Sequence, residues 1–352
     1  MGCRFLGTES ERRHRRAGTA PAGHEAKEEK PMTLKDLFEN LYRPLRLRGR
    51  SQATTRLYGC VIRNFGRWLG REPEVRDLDE LVLAQYLEAR ASQVAPLTVE
   101  RERCSLVALA SLAWERRLIE MKPTCPPGHI PDRVPTAWSV EELRAVMAAA
   151  SDPATFCGLP KGRPPRSTRP AVTSKRQTPR ACTYARFFSA IVPTLYETGE
   201  RIGAMLGAMI EDYERPYLVV RAEARKGRKR DRAYRLTEET CDRIDALIAG
   251  RDTGPVFVWD RAKQLLYRRF GQVVYAAGLD TKKRLRFHQI RRSAASHFAA
   301  AGGDAVEMLD HSSPKITKRW YLDPRLVDRG ARPCDLLPSI TLEPTPARPA
   351  SA

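Results

Sequence analysis

The 352 residues carry 62 Lys plus Arg against 42 Asp plus Glu, a formal net charge of +20, with a pI near 10.0. Such a chain projects a long-range positive field, so its expected partner is a polyanion held with an affinity that falls as salt rises. Mean hydropathy is -0.49 and no run approaches the roughly 18 apolar residues of a spanning helix, which excludes a membrane-embedded protein.

The start, Met1-Gly2-Cys3-Arg4-Phe5-Leu6, lacks the hydroxyl side chain that myristoylation needs and has no apolar core adequate for a secretory signal, so a cytoplasmic chain is expected. Residues 1–31 are polar, with Arg12-Arg13-His14-Arg15-Arg16 ahead of a mixed-charge stretch, and read as a disordered basic tail. Residues 32–120 read as a helical domain. Thr33 is a candidate N-cap for a helix bearing Leu34, Leu37, Phe38 and Leu41; Leu57, Val61, Phe65 and Trp68 mark a second helix that Gly70 can end in a left-handed conformation. Asp77 and Glu80 have capping-box spacing ahead of Leu81 and Leu87, and Leu106, Leu109, Ala113 and Trp114 trace a fourth helical face. Cys60 and Cys104 fall within these patterns and read as small core residues.

Residues 121–136 carry Pro123, Pro126, Pro127, Pro131 and Pro135 and read as a linker. Residues 137–342 read as a second, mainly helical domain, opened by a capping box at Ser139 and Glu142. A basic, Pro- and Ser-containing insertion is expected at 158–181, followed by a helix through Phe187, Ile191 and Leu195. Gly199 permits a tight turn that presents Arg201 at the start of the next helix. Strand propensity appears only in Tyr217 to Val220 and Ala233 to Leu236, a hairpin with Arg225-Lys226-Gly227-Arg228-Lys229 at its tip. Helices fit Cys241 to Ile248, Ala262 to Ala277 and Gln289 to Ala300; Leu336 to Leu342 is apolar enough to dock, and 343–352 reads as a mobile tail.

The chemistry is concentrated near the C-terminus, in Arg286-Phe287-His288-Gln289-Ile290-Arg291, Asp310-His311-Ser312-Ser313 and Tyr321, with Glu197-Thr198-Gly199-Glu200-Arg201 upstream. A phosphodiester in a pentavalent transition state gathers charge on its non-bridging oxygens, which guanidinium groups meet with paired hydrogen bonds. Two arginines and a histidine can therefore stand in for a metal ion. A phenol can attack in line, and a lysine can protonate the departing 5′-oxygen. The eight cysteines form no Cys-x-x-Cys pair and no zinc-like spacing, so no metal and no cofactor are expected.

This order of Arg, Lys, His-x-x-Arg, His and Tyr resembles the tyrosine recombinase (phage integrase) family over residues 137 to about 324. The resemblance implies that Arg201 and Arg291 clamp the scissile phosphate and that Lys226 is the general acid, with Lys229 the other possibility. It further implies that His288 assists proton transfer, that His311 hydrogen-bonds the phosphate and that Tyr321 is the nucleophile. Residues 32–120 then resemble the family's core-binding domain, with Arg46, Arg48, Arg50 and Arg101 as candidate DNA contacts beside Arg228 and Lys229. Three positions depart from the family pattern. Ala204 stands where an acidic residue is usual and Asp310 where a glycine is usual; Trp320 occupies the usual tyrosine position, one residue before Tyr321. Since tryptophan has no ionisable nucleophile and no tyrosine lies between Tyr275 and Tyr321, Tyr321 is the candidate, with an irregular turn around Pro314 absorbing the extra residue.

The implied fold is mostly α, a helical core-binding domain plus a mainly helical catalytic domain with a small antiparallel sheet. The implied reaction is site-specific cutting and rejoining of double-stranded DNA through a 3′-phosphotyrosyl intermediate. The chain is then expected to be a monomer in solution and a tetramer on paired sites, with an accessory directionality factor as a further partner. Two alternatives share the residues: strand swivelling of the type IB topoisomerase kind, and a DNA-binding protein that keeps the fold without turnover.

Overall fold

The computed structural model describes residues 31–157, 179–225, 227, 230–280 and 286–327. The expected N-terminal tail to residue 30, residues 158–178 of the insertion, Lys226, Arg228, Lys229 and the segments from 328 onward lie outside the described residues. The chain divides into two compact units at Pro131 and Asp132, inside the proline-rich stretch.

In the first unit, α1 (Leu34–Asp36) is capped by Thr33, whose hydroxyl accepts from the Asp36 amide at 3.1 Å. It runs through a π-helical segment (Leu37–Tyr42) into α2 (Arg43–Arg46). Helix α3 (Gln52–Leu69) ends at Gly70, at φ +73°, a left-handed conformation that glycine adopts without a Cβ clash. Helices α4 (Glu80–Ala91) and α5 (Pro96–Glu115) complete the bundle around Leu34, Phe38, Phe65, Leu83, Tyr86 and Leu109, all buried. One carboxylate ties three helices together. Glu102 of α5, 3% exposed, accepts from Tyr86 (2.7 Å) and Arg90 (2.9 and 2.8 Å) of α4 and from Asn64 (3.1 Å) of α3. Its lone pairs are filled, which is the condition for burying a charge without a large loss of stability.

Three local expectations are corrected here. The cap of α4 is Asp79, which accepts from the Leu81 and Val82 amides, and not Asp77. Asp77 instead closes a 3₁₀ turn (Val75–Asp77) by accepting from the Glu74 amide, and it pairs with both terminal nitrogens of Arg71 at 2.7 and 2.5 Å. Cys60 and Cys104 are exposed, as are Leu57 and Trp114. A turn of about 100° per residue means that a face assigned one position off carries its edge residues into solvent.

The second unit opens with α6 (Val140–Ser151), whose capping box is formed on both sides by Ser139 and Glu142. A 3₁₀ turn (Pro153–Phe156) follows, and then α7 (Pro179–Thr198), which packs against α6, α9 and α11. Because α7 starts at Pro179 and buries Ala181, the last three residues of the expected 158–181 insertion belong to this helix. Phe188, Ile191 and Leu195 of α7 are at most 1% exposed. They join a core that includes Phe270 of α10 (Lys263–Ala276) and Phe287 of α11 (Arg286–Ala300), whose rings stack with centroids 4.1 Å apart.

After α7 come the single-turn helix α8 (Ile202–Met205) and an antiparallel sheet of β1 (Tyr213–Glu214), β2 (Tyr217–Val220) and β3 (Arg232–Arg235), in the order β1-β2-β3. Leu218 pairs with Tyr234 and Val219 with Ala233, which fixes the register of the β2–β3 hairpin. Helix α9 (Glu238–Ile248) follows the sheet; α12 (Ala305–Leu309), α13 (Pro314–Trp320) and α14 (Pro324–Val327) follow α11. The architecture is mostly helical with one small antiparallel sheet.

The turn between α7 and α8 depends on Gly199, which adopts φ +62°. A Cβ there would lie 2.9 Å from the Met308 Cε and 3.4 Å from a Leu309 methyl. The Met308 methyl can swing aside, but the left-handed backbone strain cannot be relieved in that way. Gly199→Ala is therefore expected to lose about 1–2 kcal/mol, read as a lower urea midpoint with an unchanged slope; a midpoint equal to wild type would show that the turn relaxes freely.

Candidate active site

Four short segments bring the site together: the Gly199 turn, the β2–β3 hairpin, helix α11, and the stretch from α12 to the end of α13. Arg201 is the N-cap residue of α8, with an extended backbone at φ -79° and ψ 140°. His288 and Arg291 stand on α11 three residues apart, a spacing that sets both on one face of a helix. His311 follows the C-terminus of α12, and Tyr321 caps the end of α13.

Arg291 is 2% exposed. One terminal nitrogen donates to the Gly199 carbonyl and the other to the Leu309 carbonyl at 2.7 Å, with His311 Nε2 at 3.4 Å from the latter nitrogen. Its Nε has no hydrogen-bond partner among the described residues. The nearest carboxylate is that of Glu200, 4.0 Å from Nη1. Burial and the neighbouring Arg201 charge push the Arg291 pKa down to about 10, against partial support from the Tyr321 phenol and Glu200. It stays cationic at neutral pH.

Tyr321 is 7% exposed, and its ring is surrounded by site groups. The ring centroid lies 4.9 Å from that of His288, 4.6 Å from that of His311 and 5.5 Å from the Arg291 guanidinium carbon. Its backbone is held on both sides. The amide donates to Thr317 O at 2.9 Å, and the carbonyl accepts from Ser296 Oγ of α11 at 3.0 Å. Helix α13 starts regularly at Pro314, capped by Ser313, so the irregularity expected around Pro314 is absent there; the helix ends at Trp320, and Tyr321 leaves the helical path at φ -125° and ψ -32°.

Both imidazoles are kept neutral. Burial and the charges of Arg291, Arg292 and Arg201 push the His288 pKa down to about 3; burial, Arg291 and Arg201 push His311 down to about 4. His311 Nδ1 lies 2.9 Å from Thr317 Oγ1. Since a guanidinium can only donate, Nε2 of His311 faces it as an acceptor and the ring proton belongs on Nδ1, toward Thr317.

The structure thus brings Arg201, His288, Arg291, His311 and Tyr321 into one cluster. Lys226, Arg228 and Lys229 lie outside the described residues. In the first unit Arg48, Arg50 and Arg101 are exposed, while Arg46 is already paired with Glu115 at 2.5 Å. His297 stays apart from the site, its Nδ1 2.7 Å from Tyr196 Oη. No group of His, Cys, Asp and Glu suited to a metal ion occurs among the described residues.

Several charged residues at the site escaped the sequence reading. Glu200, 3% exposed, accepts from Arg225 Nε (2.6 Å), Tyr234 Oη (2.7 Å) and the Arg201 amide (3.0 Å). Burial opposes its ionisation, but the bonds from Tyr234 and Arg225 hold its carboxyl below the usual range. Arg292, half-buried, adds a further cation, which burial holds below the usual arginine range against support from the Tyr321 phenol. Asp310 occupies φ +51°, which accounts for a glycine being usual there, and its carboxylate lies 3.2 Å from both Arg225 and Arg230. The only trace of this network in the sequence is that Glu200, Arg225 and Asp310 each directly precede a candidate catalytic residue.

The Phage integrase family model matches residues 176–326, a span that contains every candidate catalytic residue. Tyrosine recombinase XerC of Mycobacterium tuberculosis (strain ATCC 25177 / H37Ra) is 26% identical over 260 residues, covering 68% of this chain and 83% of the relative. The protein of the same name from Mycobacterium sp. (strain JLS) is 27% identical over 305 residues, or 78% and 89% of the two chains. Among solved structures, a lambda integrase tetramer bound to a Holliday junction superposes with a TM-score of 0.59 at 16% identity, covering 84% of this chain and 79% of that one. The Tn1549 transposon integrase in complex with a circular intermediate DNA superposes with a TM-score of 0.55 at 13% identity, over 82% and 95%. At these identities the superpositions speak for the fold alone, and the fold is the same. The family match and the curated relatives thus agree with the ordered cluster around Tyr321, and residues 176–326 of the chain carry a tyrosine recombinase (phage integrase) type domain.

Proposed function

We propose that this protein is a site-specific DNA recombinase that cuts and rejoins double-stranded DNA through a 3′-phosphotyrosyl intermediate. The observation that carries this reading is the enclosure of the Tyr321 ring by His288, His311 and Arg291, with the Arg201 charge bearing on all three cationic or imidazole groups. A phosphate entering such a site meets two guanidinium groups that no carboxylate fully neutralises, where charge developing on its oxygens is stabilised in surroundings poor in water.

In the proposed reaction the Tyr321 oxygen bonds to phosphorus and the bond from phosphorus to the 5′-oxygen breaks. The phenolic proton passes to a neutral imidazole, for which His288 is placed, and Lys226 of the hairpin protonates the leaving 5′-oxygen. His311 hydrogen-bonds the phosphate. Its Nε2 must then carry a proton, and the negative charge of the phosphate, opposing the arginines that depress both imidazoles, favours this. Resealing reverses the step with a 5′-hydroxyl of a partner duplex, so no nucleotide cofactor is consumed. Arg48, Arg50 and Arg101, exposed in the first unit, and Arg228 and Lys229 are the proposed backbone contacts. Assembly as a tetramer on two duplexes follows from the need for two pairs of cuts, and the solved lambda integrase tetramer on a Holliday junction supports it.

Covalent capture tests the reaction. Incubated with a pool of nicked duplexes of randomised core sequence, the wild-type chain is expected to yield a DNA adduct that survives denaturant, and Tyr321→Phe is expected to yield none. Sequence-selective retention without an adduct would leave a DNA-binding protein, and relaxation of supercoils without strand exchange on the captured sequence would leave a topoisomerase.

The buried imidazoles generate a pH dependence of the free protein. Their folded-state pKa values lie below the unfolded value near 6.5, so the unfolded chain binds more protons as pH falls and stability falls with it, from about pH 6.5 down to about pH 3–4. At about pH 5 the loss at His288 amounts to ~2 kcal/mol relative to pH 7, and solvent screening makes it smaller at the less buried His311. Carboxylates held below their usual range lose their contribution only at lower pH, so this window belongs to the histidines. Urea unfolding of the intact chain at the two pH values should show the drop, to which the half-buried His297 also contributes, with the His288 share of ~2 kcal/mol removed in His288→Asn; an equal drop in both proteins would contradict a desolvated His288.

A further inference from the structure

Three of the residues assigned to chemistry are each directly preceded by a member of one ion network, in which Glu200 and Arg225 are buried and Asp310 is partly exposed. Glu200 precedes Arg201, Arg225 precedes Lys226 and Asp310 precedes His311. Arg225, 6% exposed, sits at the centre. Its Nε donates to Glu200 Oε1 at 2.6 Å, its Nη1 donates to the Arg230 carbonyl at 3.0 Å and its Nη2 lies 3.2 Å from Asp310 Oδ2. The Arg230 carbonyl belongs to the far side of the hairpin tip, so one guanidinium holds both sides of that tip as well as the two flanking turns. Arg232, at the start of β3, adds a second stitch by donating to the Glu307 carbonyl at 2.5 Å and the Met308 carbonyl at 3.2 Å, at the end of α12.

We propose that Arg225, Glu200 and Asp310 form a bolt of positioning residues that sets Arg201, the hairpin tip and His311 in register around one phosphate. The inference rests on the recombinase reading and deepens it. None of the three need touch the DNA. They act because a residue adjacent to a fixed backbone inherits its position, and catalytic groups misplaced by about 1 Å lose up to two orders of magnitude in rate.

Asp310 makes the idea testable without wrecking the fold. At φ +51° a glycine is conformationally at ease, so Asp310→Gly removes the carboxylate and leaves the turn unstrained. Glu200→Gln is the second variant: its amide oxygen can still accept from Arg225 and Tyr234, which keeps the fold, but the ionic pairing with Arg225 and the bond accepted from the Arg201 amide are lost, because a side-chain NH2 can only donate. Both variants are compared with wild type for melting temperature, for binding to the duplex captured by the wild-type chain, and for the rate of Tyr321 adduct formation. The rate is measured on that duplex with its normal 5′-oxygen leaving group and with a sulfur in its place, which departs without protonation. The bolt predicts melting temperatures and DNA affinities near wild type, and adduct formation slowed by about tenfold or more on the oxygen substrate. It further predicts a clearly smaller defect on the sulfur substrate, because a displaced proton donor no longer matters there. Wild-type rates in both variants on both substrates, or equal defects on the two substrates, would overturn the bolt and leave the recombinase reading intact. Absence of any Tyr321 adduct with the wild-type chain would overturn the recombinase reading itself.

Discussion

A guanidinium held away from water organises the second unit. Arg291 donates to the carbonyl oxygens of Gly199 and Leu309 and faces the imidazole of His311. Each of these partners is neutral. The bonds offset part of the cost of desolvating the ion, yet they leave its charge available to a ligand, which a directly bonded carboxylate would not. They also satisfy the last carbonyl of α12, one of the groups that a helix end leaves without an internal partner. One side chain therefore joins three segments that are remote in sequence and supplies the positive potential at their junction. Deep burial of an arginine is otherwise poorly tolerated, and here the two carbonyl bonds and the joining of three segments offset its cost.

The same potential explains why both imidazoles are neutral. His288 and His311 are surrounded by cations and have lost much of their hydration, so a proton on either would be repelled. On the proposed chemistry a bound phosphate would oppose the arginine charges and favour the protonated imidazoles. The free site is thus incomplete in an electrostatic sense, and binding an anion relieves a repulsion already present in the folded chain.

Much of the site could be read from the sequence because its residues are chemically distinct and occur in a fixed order. Arg201, His288, Arg291, His311 and Tyr321 needed no knowledge of packing to be singled out, and the mostly helical pattern with one strand hairpin followed from periodicity and turn residues. What could not be read depends on contacts across long stretches of chain. Glu200 and Arg225 look like two ordinary surface charges among the 104 charged residues of the sequence, and only the fold buries them together and brings Asp310, singled out for its position alone, against Arg225. The roles of Asp77 and Asp79 illustrate a smaller failure: two acids two residues apart both suit a helix start, and the choice was made by the approach of Arg71 to Asp77. Cys60 and Cys104 show the limit of periodicity, which locates a helix more reliably than the boundary of its buried face.

The peptide unit of Tyr321 has a consequence for how cutting is shared out within an assembly. Ser296 of α11 donates to the Tyr321 carbonyl and accepts from the Asp323 amide, while the Asp323 carboxylate accepts from the Ala137 amide. The nucleophile is thereby stitched to the helix that carries His288 and Arg291 of the same polypeptide. Cleavage on the proposed chemistry is then performed in cis, each subunit using its own phenol on the phosphate its own arginines hold.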